Sequence, residues 1–229
     1  MTRVFTEDDV VPRAVVWIQA QVERAVAERG AAHVALCGGS TPGPVYAALA
    51  GCLDWSRVHL YFGDERCVAP DDPESTYRLV REALLDQVTG AAPTVHRMEG
   101  EDPDPEAAAR RYEALLPERL DLAIQGMGDD GHTASLFPGH PATLERERRV
   151  VHVADAPKPP PDRLTLTTPV LEDAREAMVL ARGAGKAEAV ARALTGLRDL
   201  EACPVQVCRA GTWFLDPAAA AALDPETIG

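Results

Sequence analysis

Apolar positions along the chain alternate between two spacings. Val11, Val15, Ile18, Val22 and Val26 recur at the helical period and predict a first helix over residues 10–29, ended by Gly30. A short apolar run follows at 33–37, then a helix through 45–50, then a second apolar run at 58–62. Ser75 is placed to cap a helix carrying Leu79, Val80 and Leu84, and Asp104 followed by Pro105 opens another. Residues 120–124 read as a buried strand, 150–153 and 163–167 as strands, and Thr168–Pro169 as a helix cap. Residues 177–181 read as a strand, a helix begins near Gly185, and Asp216–Pro217 opens a final alanine-rich helix. Apolar strands alternating with helices predict an α/β fold, a parallel sheet covered by helices on both faces. In such a sheet, sites form where loops leave the carboxyl ends of strands.

No internal repeat is visible, and the proline-rich run at 156–162 is too short to link domains, so a single domain over 1–229 is expected. The opening residues hold no apolar stretch of the kind a secretory leader needs, and no run approaches the roughly 20 residues that cross a bilayer. A cytoplasmic protein is expected. The formal net charge of −13 argues against nucleic acid and anionic membranes as partners. It also means that a site for an anion must gather its own cations. The five cysteines form no CxxC pair and read as reduced thiols, with Cys203 and Cys208 in a strand-like stretch. The histidines show no metal spacing, so no metal is expected.

Four motifs lie at strand-to-helix junctions. The first, GlyGlySerThrPro at 38–42, has the form of a phosphate cradle. Gly38 and Gly39 let the backbone approach a ligand, the helix start offers free N–H groups, and Ser40 and Thr41 add hydroxyls. The same residues also suit a plain tight turn with a hydroxyl cap. The second, GlyAspGluArg at 63–66, supplies Asp64 to accept a proton or orient a hydroxyl, and Arg66 to grip phosphate; a surface ion pair is the other reading. The third, at 126–138, packs three glycines into six residues around His132. A histidine there can act as general base, with Asp129 or Asp130 fixing its tautomer, and Gly131 counts among the ligand-contacting positions. The fourth, GlyAlaGlyLysAla at 183–187, puts Lys186 at a helix start, where a bound anion offsets its unfavourable place in the helix dipole. It is not a nucleoside-triphosphate loop, because Leu180 and Ala187 stand where glycine and Ser or Thr are needed. No GxSxG elbow occurs, so a histidine-activated water is simpler than an acyl-serine.

These motifs, with PKPPPDRLTLT at 157–167 and TrpPheLeuAsp at 213–216, resemble in order and spacing the family of glucosamine-6-phosphate isomerases and 6-phosphogluconolactonases. The resemblance spans residues 33–222. It implies a modified Rossmann-like sheet and a carboxylic ester hydrolase of the pentose phosphate pathway. That enzyme would open 6-phospho-D-glucono-1,5-lactone without metal or organic cofactor. Deaminases of the family continue after the histidine turn with Phe-Asn-Glu-Pro-Gly; here SerLeuPheProGly at 135–139 favours the lactonase. On this reading Gly39, Ser40 and Thr41 hold the phosphate, Lys186 and Arg66 neutralise it, and Arg163 adds an anion contact. His132 activates water. Asp64 does proton chemistry or orients substrate. Thr76 stands where the family often has Asn, Asp129 where it often has Glu, and Gln125 where it has an aliphatic residue. The competing readings are an amino-sugar-phosphate deaminase and a non-catalytic phosphosugar binder. A monomer, with at most weak self-association, is expected.

Overall fold

The computed structural model describes residues 2–224. Seven parallel strands form the main sheet: β1 (Arg3–Thr6), β2 (Ala32–Leu36), β3 (Val58–Phe62), β5 (Thr94–Val95), β6 (Leu122–Gly126), β9 (Glu176–Ala181) and β10 (Thr212–Leu215). Their spatial order is β1-β10-β9-β6-β2-β3-β5. Three further strands, β4 (Asp64–Arg66), β7 (Val150–Val153) and β8 (Arg163–Leu166), form a separate antiparallel sheet in the order β4-β8-β7. The alternating pattern predicts the parallel sheet but assigns no pairing to 150–153 and 163–167. Their antiparallel ladder follows from a short connection that lets the chain fold straight back, as parallel pairing does not.

The helices are α1 (Val11–Arg29), α2 (Pro42–Leu49), α3 (Thr76–Ala83), α4 (Pro105–Leu115), α5 (Thr168–Asp173), α6 (Ala187–Thr195) and α7 (Pro217–Ala220). Crossovers from β1 to β2, β2 to β3 and β3 to β5 run one way across the sheet; those from β5 to β6, β6 to β9 and β9 to β10 run the other way. Right-handed connections therefore put α1, α2 and α3 on one face and the later helices on the opposite face. Helix α1 buries Ala14, Val15, Ile18, Val22 and Ala25 and ends at Gly30, as the sequence predicts, in a left-handed cap with φ of 82°. Val11 and Val26 are only partly buried.

Several boundaries differ from expectation. β6 starts at Leu122 because the buried Asp121 carboxylate turns back to accept from the His33 amide at 2.8 Å and from Arg29 at 2.7 Å. Thr168 does not cap α5. Thr167 holds the cap position, and its hydroxyl donates instead to the Arg148 carbonyl at 2.7 Å. Cys203 and Cys208 lie in no strand: residues Pro204–Cys208 form a 3-10 turn, which Pro204 starts and the buried Gln206 amide ties to the Asp199 amide and the Leu197 carbonyl. No helix among the described residues is long and apolar enough to cross a membrane.

Where β2 and β3 end, their backbones leave the ladder and need other partners. Two buried tyrosines supply them. Tyr46 accepts from the Cys37 amide at 3.0 Å and donates to the Cys37 carbonyl at 2.9 Å. Tyr112 accepts from the Phe62 amide at 2.7 Å and donates to the Phe62 carbonyl at 3.2 Å. Helix α3 is anchored by Glu65, whose buried carboxylate accepts from the amides of Arg66, Thr76 and Tyr77 and from the Ser75 hydroxyl. Burial pushes its carboxyl up against the opposing pull of those bonds. Glu65→Ala strands these amides without an acceptor, and urea denaturation should show a loss of about 3 kcal/mol.

Candidate active site

β9, β6, β2 and β3 are neighbours in the sheet, and each of the four sequence motifs leaves the carboxyl end of one of them. The break lies between β2 and β6. Their loops depart toward opposite faces and leave a crevice between them. A cavity of about 280 Å³ opens there, lined by Gly38, Gly39, Ser40, Thr41, Asp64, Arg66, His132, Arg163 and Lys186 among others. Gly131 stands outside this lining. A Cβ at Gly131 would lie 2.9 Å from the Arg192 guanidinium and 3.0 Å from the Cys203 Sγ. Its φ of +92° bends the loop, so it shapes the turn from behind.

The loop after β2 presents its groups with little local commitment. Thr41 occupies the cap position of α2 without a side-chain hydrogen bond to the helix. Gly39 has φ +104°, and a Cβ at Gly38 would sit 2.8 Å from Thr76 Oγ1. The first two glycines are thus required, one by conformation and one by the closeness of α3.

After β6 the chain folds tightly, with the Gly128 amide donating to the His132 carbonyl at 2.9 Å. Asp130, not Asp129, holds the imidazole: its Oδ1 lies 2.6 Å from His132 Nδ1 and also accepts the His132 amide at 3.0 Å. That bond places the proton on Nδ1 and leaves Nε2 with its lone pair free. The pair folds back over Gly128, where an added Cβ would fall 2.1 Å from Nδ1 and 2.3 Å from the Asp130 carboxylate. The other side of the imidazole packs on Phe137, with ring centroids 4.6 Å apart. Ala134, next in the turn, holds a left-handed φ of 47° in the cavity lining, a strain of roughly 1–2 kcal/mol concentrated at the site.

Asp64 is buried and accepts from the Ser135 hydroxyl at 2.7 Å, with Arg163 Nη1 at 3.9 Å. Arg163 itself is largely committed. Its Nε donates to the Pro160 carbonyl at 2.9 Å, and its Nη2 to the carbonyls of Lys158 and Pro159, each at 3.0 Å. It clasps the proline-rich loop, in which the Pro159–Pro160 bond is cis, and turns only Nη1 toward the cavity. Arg66 is similarly tied to Glu74, through the main-chain carbonyl and at 3.5 Å to the carboxylate.

Two lining cations went unrecognised in the sequence. Lys158 reaches from the proline loop to Asp129 at 2.5 Å and Asp130 at 3.5 Å. Arg182, directly after β9, lies 4.0 Å from Asp216. The signal for both was adjacency to motifs already singled out. With Arg66, Arg163 and Lys186 they make five cationic side chains in the lining, against the single carboxylate of Asp64. In a chain of net charge −13 that concentration marks a place for an anion. Among the described residues no cluster of three His, Cys, Asp or Glu side chains is arranged to hold a metal ion.

The family model for glucosamine-6-phosphate isomerases and 6-phosphogluconolactonase matches residues 6–215. The chain belongs to this family. A 6-phosphogluconolactonase of Streptomyces coelicolor is 42% identical, over 87% of this chain and 85% of that one. One of Mycobacterium tuberculosis is 40% identical, over 96% and 97%. The crystal structure of the 6-phosphogluconolactonase of Thermotoga maritima aligns with a TM-score of 0.84 at 29% identity, covering 94% of this chain and all of that one. The chain therefore shares the α/β fold of this family, a mostly parallel sheet with helices.

Burial pulls the His132 imidazole below the ordinary histidine value, more strongly than Asp130 raises it, and the nearby Lys158 pulls the same way. Asp130 is held below the usual carboxylate range: burial opposes this, but the His132 amide, the imidazole and Lys158 outweigh it. The site thus holds a neutral imidazole over an ionised carboxylate at neutral pH. Gly128→Ala must displace that pair. A misplacement of about 1 Å should lower turnover roughly 100-fold with the fold retained, as single-turnover rates and circular dichroism would show.

Proposed function

We propose that the protein hydrolyses 6-phospho-D-glucono-1,5-lactone to 6-phospho-D-gluconate. The observation that carries this reading is the free Nε2 of His132, backed by Asp130, in a cavity rich in cations. The sugar phosphate is held at the loop of Gly38, Gly39, Ser40 and Thr41, with Lys186 neutralising its charge. Arg66 and Arg163 face the same space with the few donors they have left. His132 Nε2 takes a proton from water, and the hydroxide adds to the lactone carbonyl carbon. The negative charge that develops on the carbonyl oxygen is stabilised by the surrounding cations and amides. When the tetrahedral centre collapses, the bond to the ring oxygen breaks, and His132 returns the proton to that oxygen. Collapse leaves a carboxylic acid and a new hydroxyl, with the imidazole neutral again; the acid then releases its proton to solvent and the product departs as the carboxylate.

Asp64, fixed by Ser135, accepts a substrate hydroxyl and orients the ring. No metal or organic cofactor is called upon. We also propose that the protein acts in the cytoplasm as a single-domain monomer.

His132→Ala should lose about 10²–10⁴-fold in turnover of freshly made 6-phosphogluconolactone, measured above spontaneous hydrolysis, and keep its affinity for 6-phosphogluconate within a few-fold. Near-native turnover by that variant would remove His132 as the base. No turnover by the wild type, with ammonia released from glucosamine 6-phosphate, would point to the deaminase reading. The base works deprotonated, and its folded value is lowered. kcat/KM should therefore stay level through neutral pH and fall on acidification only below the ordinary histidine value of about 6.5.

A further inference from the structure

The imidazole of His132 sits among more charges than its acid partner alone. Asp130 belongs to its own loop, Asp64 faces it from the start of β4, and Lys158 from the proline loop. Arg163 lies over the ring of Phe137, its guanidinium carbon 5.4 Å from the centroid. Arg192 of α6 donates to the Asp130 carbonyl, and Lys186 lies toward Asp129. Of these, Lys158 alone makes a direct contact with the carboxylate that holds the imidazole. Its ammonium spans Asp130 Oδ2 at 3.5 Å and Asp129 Oδ1 at 2.5 Å, while Asp130 Oδ1 serves His132.

We propose that Lys158 and Asp129 form a paired charge that sets the working pH range of His132, with Lys158 as a positioning residue. This rests on the reading of His132 as the base. Lys158 draws Oδ2 of Asp130 toward the loop and leaves Oδ1 for Nδ1. Its positive charge also disfavours a second positive charge on the imidazole. Asp129, the more exposed partner, opposes it by neutralising the ammonium. Consistent with this arrangement, the hydrogen bond from Lys158 holds the Asp129 carboxyl down to about 2. Lys158 is itself raised, because the two carboxylates outweigh burial.

The two partners must then act with opposite sign. Lys158→Met leaves Asp129 and Asp130 uncompensated, which favours imidazolium and moves the His132 titration to higher pH. Asp129→Asn leaves Lys158 unneutralised and moves it to lower pH. A residue that merely braces the loop would shift neither, or both the same way. The bracing contact is in any case retained in Lys158→Met, because Arg163 holds the main-chain carbonyl of Lys158.

The test is the pH titration of the His132 ring, followed by NMR on the full-length chain without substrate, in wild type, Lys158→Met, Asp129→Asn and Lys158→Arg. Shifts of opposite direction in the first two variants, with Lys158→Arg restoring the wild-type value, support the assignment. Unmoved titrations, or shifts of the same sign, overturn it. The acid limb of lactone hydrolysis, measured in parallel, should move with the ring titration. Absence of hydrolysis would overturn the proposed reaction, whereas the ring titration reports on the charge pair alone.

Discussion

The sheet of this protein is built outward in two directions from the pair β2 and β6. Connections before that point run one way and those after it run back, so the loops leaving these adjacent strands part toward opposite faces. The remaining features of the site follow from this constraint. A gap must open between the parting loops. The backbone there loses ladder partners, and the tyrosine hydroxyls of Tyr46 and Tyr112 take their place at the ends of β2 and β3. The loop after β2 and the loop carrying His132 after β6 both line that gap. Topology gives the location. Glycine gives the approach distances, most sharply at Gly128, where no other residue leaves space for the imidazole and its carboxylate.

Electrostatics then decides what the gap can hold. The chain is acidic, yet five cations line this one cavity. Gathering like charges is costly unless something compensates, and four of the five have partners within the protein: Arg163 in carbonyls, Lys158 in Asp129 and Asp130, Arg66 in Glu74 and Arg182 in Asp216. Lys186 stands at the start of α6, where the helix dipole disfavours a cation. An anionic ligand relieves that arrangement. Burial disfavours protonation of His132, and Lys158, one of these cations, acts in the same direction against the pull of Asp130.

Much of this was legible in the chain itself, for a physical reason. Glycine-rich turns between apolar strands and helix starts are local signals, and the parallel sheet brings local signals together without need of long-range information. GlyGlySerThrPro and the loop around His132 could be placed because each carries its own backbone requirement. What could not be read depends on pairing across the chain. The ladder of β4 with β8 sets Asp64 opposite Thr165, while the Ser135 amide donates to the Thr165 hydroxyl and the Ser135 hydroxyl to Asp64. Nothing in the spacing of these residues announces that contact. Gly131 carries a second requirement that the sequence does not show: its positive φ serves the turn, and its missing side chain makes room for Arg192 and Cys203.

Arg163 and Lys158 show what separates a cation that binds from one that holds. In the sequence both are basic residues of one proline-rich loop, and only the arginine, with its planar fork, stood out as an anion contact. In the fold, that fork faces three successive carbonyls, from Lys158, Pro159 and Pro160, and its geometry suits them as well as it suits a phosphate. The lysine, a point charge on a flexible stem, reaches past the clasp to the acids beside His132. The deciding quantity is the number of donors left over after the protein's own acceptors are satisfied. For Arg163 only Nη1 is left, with Asp64 as its nearest carboxylate. The arginine therefore builds the wall of the site, and the lysine it holds in place carries charge to the chemistry.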